Sequence, residues 1–151
     1  MNIGCKDGAA LAIKFVKSLK ITKNKKFIIL PTYESIYYIR NKVGKKSFFY
    51  GAQDCSQFSK GAFTGDVSAS MLKEIGCDYV LIGHSERRSI YNEDKKILIK
   101  KIKNAVLNNL KIIFCVGEDR VAYKTFKTKQ VIQRQLSRLF TKKINFKNLI
   151  I

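Results

Sequence analysis

Short apolar runs alternate along this chain with longer stretches in which apolar residues recur every three or four positions. The runs cover 27–30, 47–50, 79–82, 112–116 and 149–151, and are rich in Ile, Val, Phe and Tyr. A run that is apolar almost throughout predicts a strand covered on both faces, as in a parallel sheet. Between the runs, the spacing predicts helices over 33–42, 67–75, 93–108 and 127–140. A further helix is predicted over 9–20, where Leu11, Phe15 and Leu19 recur at four-residue spacing. Ser68 and Thr128 read as helix starts, and Gly76 as a helix stop.

The alternation of strand and helix predicts a parallel α/β fold, either an open doubly wound sheet or a closed eight-stranded barrel. No linker, low-complexity segment or internal boundary interrupts it, so residues 1–151 are expected to form a single domain. The chain opens on a loop and a helix that no strand precedes, and closes on Asn148-Leu149-Ile150-Ile151, which reads as half a strand. Both ends are therefore expected to lie inside a repeating unit.

Composition narrows the class. Hydrophobic residues make up 46% of the chain, the usual share for a folded domain. No apolar run reaches membrane-spanning length and MNIGCKDGAA lacks a signal-peptide pattern, so a cytoplasmic protein with no membrane partner is expected. Cys5, Cys55, Cys77 and Cys115 form no CxxC pair, and His84 is the sole histidine. No metal and no cofactor are expected, and the thiols are expected to be reduced. The net charge of +19 raises the question of nucleic acid. However, 24 of the 30 basic residues are lysines spread along the chain, and 19 isoleucines accompany them. Both residue types have AT-rich codons, and base composition accounts for the charge without a nucleic-acid partner.

In parallel α/β folds, functional groups collect at the carboxyl ends of the strands. Here those ends are Pro31-Thr32, Gly51-Ala52-Gln53, Gly83-His84-Ser85-Glu86 and Gly117-Glu118. His84 would stand on that face, with a short helix starting at Ser85 whose N–H groups point at the ring. A neutral imidazole there can donate to a developing oxyanion. A histidine held only by local hydrogen bonds fits the position equally well, and Glu86 with Arg87 reads as a structural ion pair. The stretch 51–72, GAQDCSQFSKGAFTGDVSASML, is long for a strand-to-helix loop, which suggests a role. Its Phe58 and Phe63 invite burial against a partner.

The stretch GAQDCSQFSKGAFTGDVSASMLKEIGCDYVLIGHSERRSIYNED resembles the central segment of triosephosphate isomerase. KIIFCVGE, KTKQVIQRQL and KNLII resemble that family's next strand and turn, the helix after them and the start of the strand beyond. The resemblance implies a partial (β/α)8 TIM barrel and interconversion of dihydroxyacetone phosphate with glyceraldehyde 3-phosphate, a step of glycolysis and gluconeogenesis. It also supplies the mechanism, in which a glutamate base moves a proton while a neutral histidine polarises the substrate. By the same resemblance His84 is the electrophile, Ser85 and Glu86 are its supporting neighbours, and Asn2 touches substrate. Gln53, Thr64, Asp66 and Arg87 match interface positions of a homodimer, and Cys115 matches a buried cysteine. Asn92-Glu93 stands where the family usually has Gly-Glu, and Asp66 is shorter than the usual glutamate. No residue of the 151 matches the family's lysine or its base glutamate, so little or no activity is expected of this chain by itself. The alternative is a non-catalytic product that acts as an interaction module, or a basic nucleic-acid binder.

Overall fold

Residues 3–19, 25–43, 48–137 and 149–151 are described by a computed structural model. Five strands form one parallel sheet: β1 (Ile28–Ile29), β2 (Phe49–Ala52), β3 (Tyr79–Ile82), β4 (Lys111–Phe114) and β5 (Leu149–Ile150). Their order across the sheet is their order in the chain, and each pairs with its successor. A doubly wound sheet reverses direction partway, leaving a crevice at the reversal. This sheet never reverses, which is the winding of a barrel, so the fold is part of a (β/α)8 barrel. Helices fill the connections: α1 (Cys5–Ser18), α2 (Tyr33–Val43), α3 (Ala69–Glu74), α4 (Ser85–Ser89), α5 (Lys95–Leu107), α6 (Arg120–Lys124) and α7 (Thr128–Leu136). None of the helices in the described residues is long and apolar enough to cross a membrane.

The main core lies where α3 and α5 cover the middle strands. Leu72 of α3 and Leu98, Ile102 and Ala105 of α5 bury against Val80, Ile82, Ile112 and Phe114. A smaller cluster of Ala9, Ile39, Phe48 and Tyr50 joins α1 and α2 to β2. Burial on both sides of the central strands is why those strands read as unbroken apolar runs.

Some expected boundaries move, for physical reasons. The apolar run predicts β2 over 47–50, yet pairing carries it to Ala52, with Gly51 opposite Tyr79 and Ala52 opposite Val80. A side chain on Gly51 would come within 3.0 Å of Tyr79 Cβ and 2.8 Å of a Leu30 methyl. The glycine expected to open the loop is thus a strand residue where neighbours crowd. The α1 helix begins at Cys5 instead of 9, since Gly8 N–H already reaches Gly4 O at 2.8 Å. Thr128 does not cap α7. The α6–α7 turn puts Lys127 at the cap position, and the Thr128 hydroxyl donates instead to Glu118 Oε1 at 3.1 Å. The α6 helix is one that the spacing does not predict. Its signal is Asp119, whose carboxylate accepts the Ala122 N–H at 2.7 Å. Residues 20, 47 and 138–140 of the expected elements lie outside the described residues.

Ser68 and Gly76 act as expected. The Ser68 hydroxyl accepts the Met71 N–H, and Gly76, at φ +88°, ends α3 in the left-handed region. Ser68→Ala should lower unfolding stability by about 1 kcal/mol, the usual cost of a lost cap. Urea denaturation checks this, and an unchanged midpoint would mean that the hydroxyl does not hold the helix.

Candidate active site

The histidine that the sequence singles out stands at the end of a strand. β3 ends at Ile82, Gly83 turns the chain at φ +78°, and His84 is the N-cap of α4. His84 Nδ1 lies 3.4 Å from the Glu86 N–H, which can only donate. The ring proton is therefore assigned to Nε2, and the neutral imidazole presents an N–H donor away from the helix. The side chain is 43% exposed, so that donor is within reach of a ligand. The Glu86 carboxylate lies 3.5 Å from Nδ1 but is 73% exposed, and water weakens this contact. Ser85 is exposed beside it.

Glu86 and Arg87 do not form the pair expected of them. Arg87 Nε instead contacts Asp54 Oδ2 at 2.8 Å and Glu93 Oε1 at 2.6 Å. Those carboxylates also hold Lys101 Nζ, at 2.7 Å from Asp54 and 2.6 Å from Glu93. Lys101, on the apolar side of α5, is only 3% exposed. Two cations and two anions thus close into a neutral quartet beneath α4. Glu93 Oε1 accepts from both cations, while Oε2 is buried without a hydrogen-bond partner among the described residues. Burial pushes the Asp54 carboxyl above its ordinary value, against the pull of Lys101. For Arg87, burial works against the charge, but Asp54 and Glu93 outweigh it and raise its pKa further.

Motif and spacing in the sequence do not single out Asp54 or Lys101, and they mark Glu93 only as part of a turn. The legible signal is Lys101 itself, a lysine between Leu98 and Ile102 on the face that α5 buries.

The loop after β2 is ordered from its base. Ser56 N–H donates to Val67 O at 2.8 Å, and its hydroxyl donates to Asp66 Oδ2 at 2.6 Å. Phe58 and Phe63 stack on each other at 3.6 Å between centroids, and Lys100 lies over Phe58. Part of the aromatic surface expected to seek a partner is therefore covered within the chain. Thr64 is exposed, and so is Asp66 even though it accepts from Ser56 at the loop's base. Gln53 is also exposed, and its amide donates to Leu30 O at 2.9 Å. Cys115 is half-buried, less than its resemblance implied. Asn2 lies outside the described residues. A groove of about 490 Å³ between α1, β1 and α2 reaches Gln53 but is not lined by His84.

Lys101→Met should destabilise the protein by about 3–5 kcal/mol, since it leaves two buried carboxylates facing one cation. The loss should shrink as pH falls, because the orphaned carboxylates can then protonate. Urea titrations at two pH values check both points, and a pH-independent loss would mean that packing dominates. Burial also pushes the Cys55 thiol up to about 12 and the Cys77 thiol up to about 11. A raised folded pKa contributes stability that is intact below the unfolded value, near 9, and is lost as pH rises through the folded value. Stability should therefore fall between pH 9 and 12. At about pH 8, below the ordinary thiol pKa, a thiol reagent should label Cys55 and Cys77 only at the rate of unfolding.

Comparison with known proteins agrees with this geometry. The family model for triosephosphate isomerase matches residues 1–151. The chain is 38% identical over 120 residues to triosephosphate isomerase of Dictyostelium discoideum, covering 80% of this chain and 47% of that protein. It is 37% identical over 142 residues to the enzyme of Phocaeicola vulgatus, covering 93% and 57%. The crystal structure of triosephosphate isomerase from Bartonella henselae superposes with a TM-score of 0.85 at 32% identity, covering all of this chain and 62% of that one. The chain thus spans about half the length of the curated relatives it matches. With the unreversed parallel winding and the histidine at the end of β3, the match over its whole length shows that this chain belongs to the triosephosphate isomerase family.

Proposed function

We propose that the protein serves the interconversion of dihydroxyacetone phosphate and glyceraldehyde 3-phosphate, with His84 as the electrophile. The observation that carries this reading is the Glu86 N–H at His84 Nδ1, which leaves Nε2–H as a donor on the carboxyl-end face. When a proton leaves the carbon beside the substrate carbonyl, negative charge develops on the carbonyl oxygen. A fixed N–H donor stabilises that charge more than it stabilises the neutral carbonyl, which lowers the barrier. The proton passes to a base carboxylate and returns to the neighbouring carbon, so no redox partner is consumed. Ser85 and Glu86 support the ring as its neighbours.

The base glutamate and the lysine have no match among these residues, so catalysis draws on groups beyond them. A homodimer fits the exposed loop that carries Thr64 and Asp66, with Gln53 and Arg87 near its base. For Arg87 that role would be shared with the quartet, which already engages its Nε. A cytoplasmic setting suits a soluble triose phosphate substrate.

The test is an isomerisation assay on the protein at the length its own cells make it, beside the 151-residue chain. The cellular protein should turn over triose phosphate, and His84→Gln should lower kcat by about 10²–10⁴-fold. The 151-residue chain should show no turnover above its own His84→Gln variant. A cellular protein without isomerase activity, or one indifferent to His84→Gln, would sink this reading.

A further inference from the structure

Arg88 brackets His84 from both sides. Its backbone N–H donates to His84 O at 3.1 Å, as the first turn of α4 requires. Its side chain turns back, and Nε donates to Gly83 O at 2.6 Å. One residue therefore engages the carbonyl before His84 and the carbonyl of His84 itself. The same guanidinium donates through Nη2 to Cys115 O at 3.0 Å, just beyond β4, and lies over the Phe114 ring at 5.3 Å. The end of β3, the start of α4 and the end of β4 thus meet on one planar group. The guanidinium presents its N–H donors as a rigid planar fork, so one side chain serves both carbonyls at once.

Gly83 explains why such a clamp matters. Its φ of +78° lies where glycine moves freely, so nothing in its own backbone selects one orientation of the peptide that joins it to His84. Rotation of that peptide would carry the imidazole with it. A side chain at this position would also meet Arg88 Nη2 at 2.6 Å. Glycine suits this position by its conformation, and it also leaves room for the guanidinium.

We infer that Arg88 is a positioning residue for His84: it fixes the Gly83–His84 peptide against the end of β4, so that the imidazole is held in one orientation with its proton on Nε2. Its value to the reaction rests on the proposed role of His84, but its test does not use turnover. A failed isomerase assay would leave the inference standing, and a failed clamp would leave the family reading intact.

The chain contains one histidine, so nitrogen-15 spectra of the imidazole carry a single pair of ring signals. In the unaltered protein the neutral ring should have Nδ1 unprotonated and Nε2 protonated. Arg88→Met should move both signals toward the average of the two tautomers. Arg88→Lys, which keeps the charge but loses the planar fork, should move them part of the way. Gly83→Ala should also move the signals with the arginine still present, because it strains the left-handed backbone and crowds the guanidinium. Ser68→Ala is the control, since it weakens a helix distant in sequence and should leave the imidazole signals unmoved. Unchanged signals in Arg88→Lys would overturn the inference. So would an equal shift in Ser68→Ala, which would mean that the ring merely tracks global stability.

Discussion

The buried ammonium of Lys101 is the contact on which the candidate site depends. It lies within 2.7 Å of both Asp54, after β2, and Glu93, before α5. These two carboxylates then hold Arg87 of α4. Two connections that leave different strands, the one after β2 and the one after β3, are tied by charge where backbone hydrogen bonding ends. The quartet is neutral and every cation has two anionic partners, which offsets much of the cost of removing four charges from water. Its contribution is better seen as geometry than as net stability: α4 has no buried residue of its own and takes its placement from its arginines.

Above that layer the strand ends are made of small groups and side-chain clamps. Gly51 admits Tyr79, and Gly83 admits Arg88. The end of β4 is held by the Gln135 amide, which donates to Gly117 O at 2.8 Å and accepts its N–H at 2.9 Å. Side chains from the succeeding helices thus satisfy backbone groups that no neighbouring strand reaches. The result is a face where His84 can be half-exposed and still held, the combination a polarising donor requires. The loop after β2 is built in the same way, with polar closure at its base and a stacked aromatic pair that leaves its tip free.

How much of this is legible in the sequence varies with the range of the forces involved. Apolar runs locate each strand among the described residues, most clearly β2 and β3, where burial removes polar residues from the strand. Ser68 and Gly76 mark helix ends because capping acts within four residues. Thr128 misleads for the converse reason, since its hydroxyl finds Glu118, ten residues away in the chain. Asp119 has the chemistry of a cap, but the five-residue helix it starts is too short to show a period. His84 stands out by its rarity and its place after a strand.

By itself the sequence determined the alternation of strands and helices, the position of the histidine at a carboxyl end, and the family to which the motifs point. These are written in local periodicity and contiguous motifs, which need no partner distant in the chain. The pattern of elements is shared by both architectures, and the tertiary structure decided directly that the sheet winds without reversal. It also decided that Arg87 turns away from Glu86 toward Asp54 and Glu93, and that Lys101 is buried. Charge interacts through space, and within a folded interior the nearest opposite charge is chosen by packing, not by adjacency in the chain.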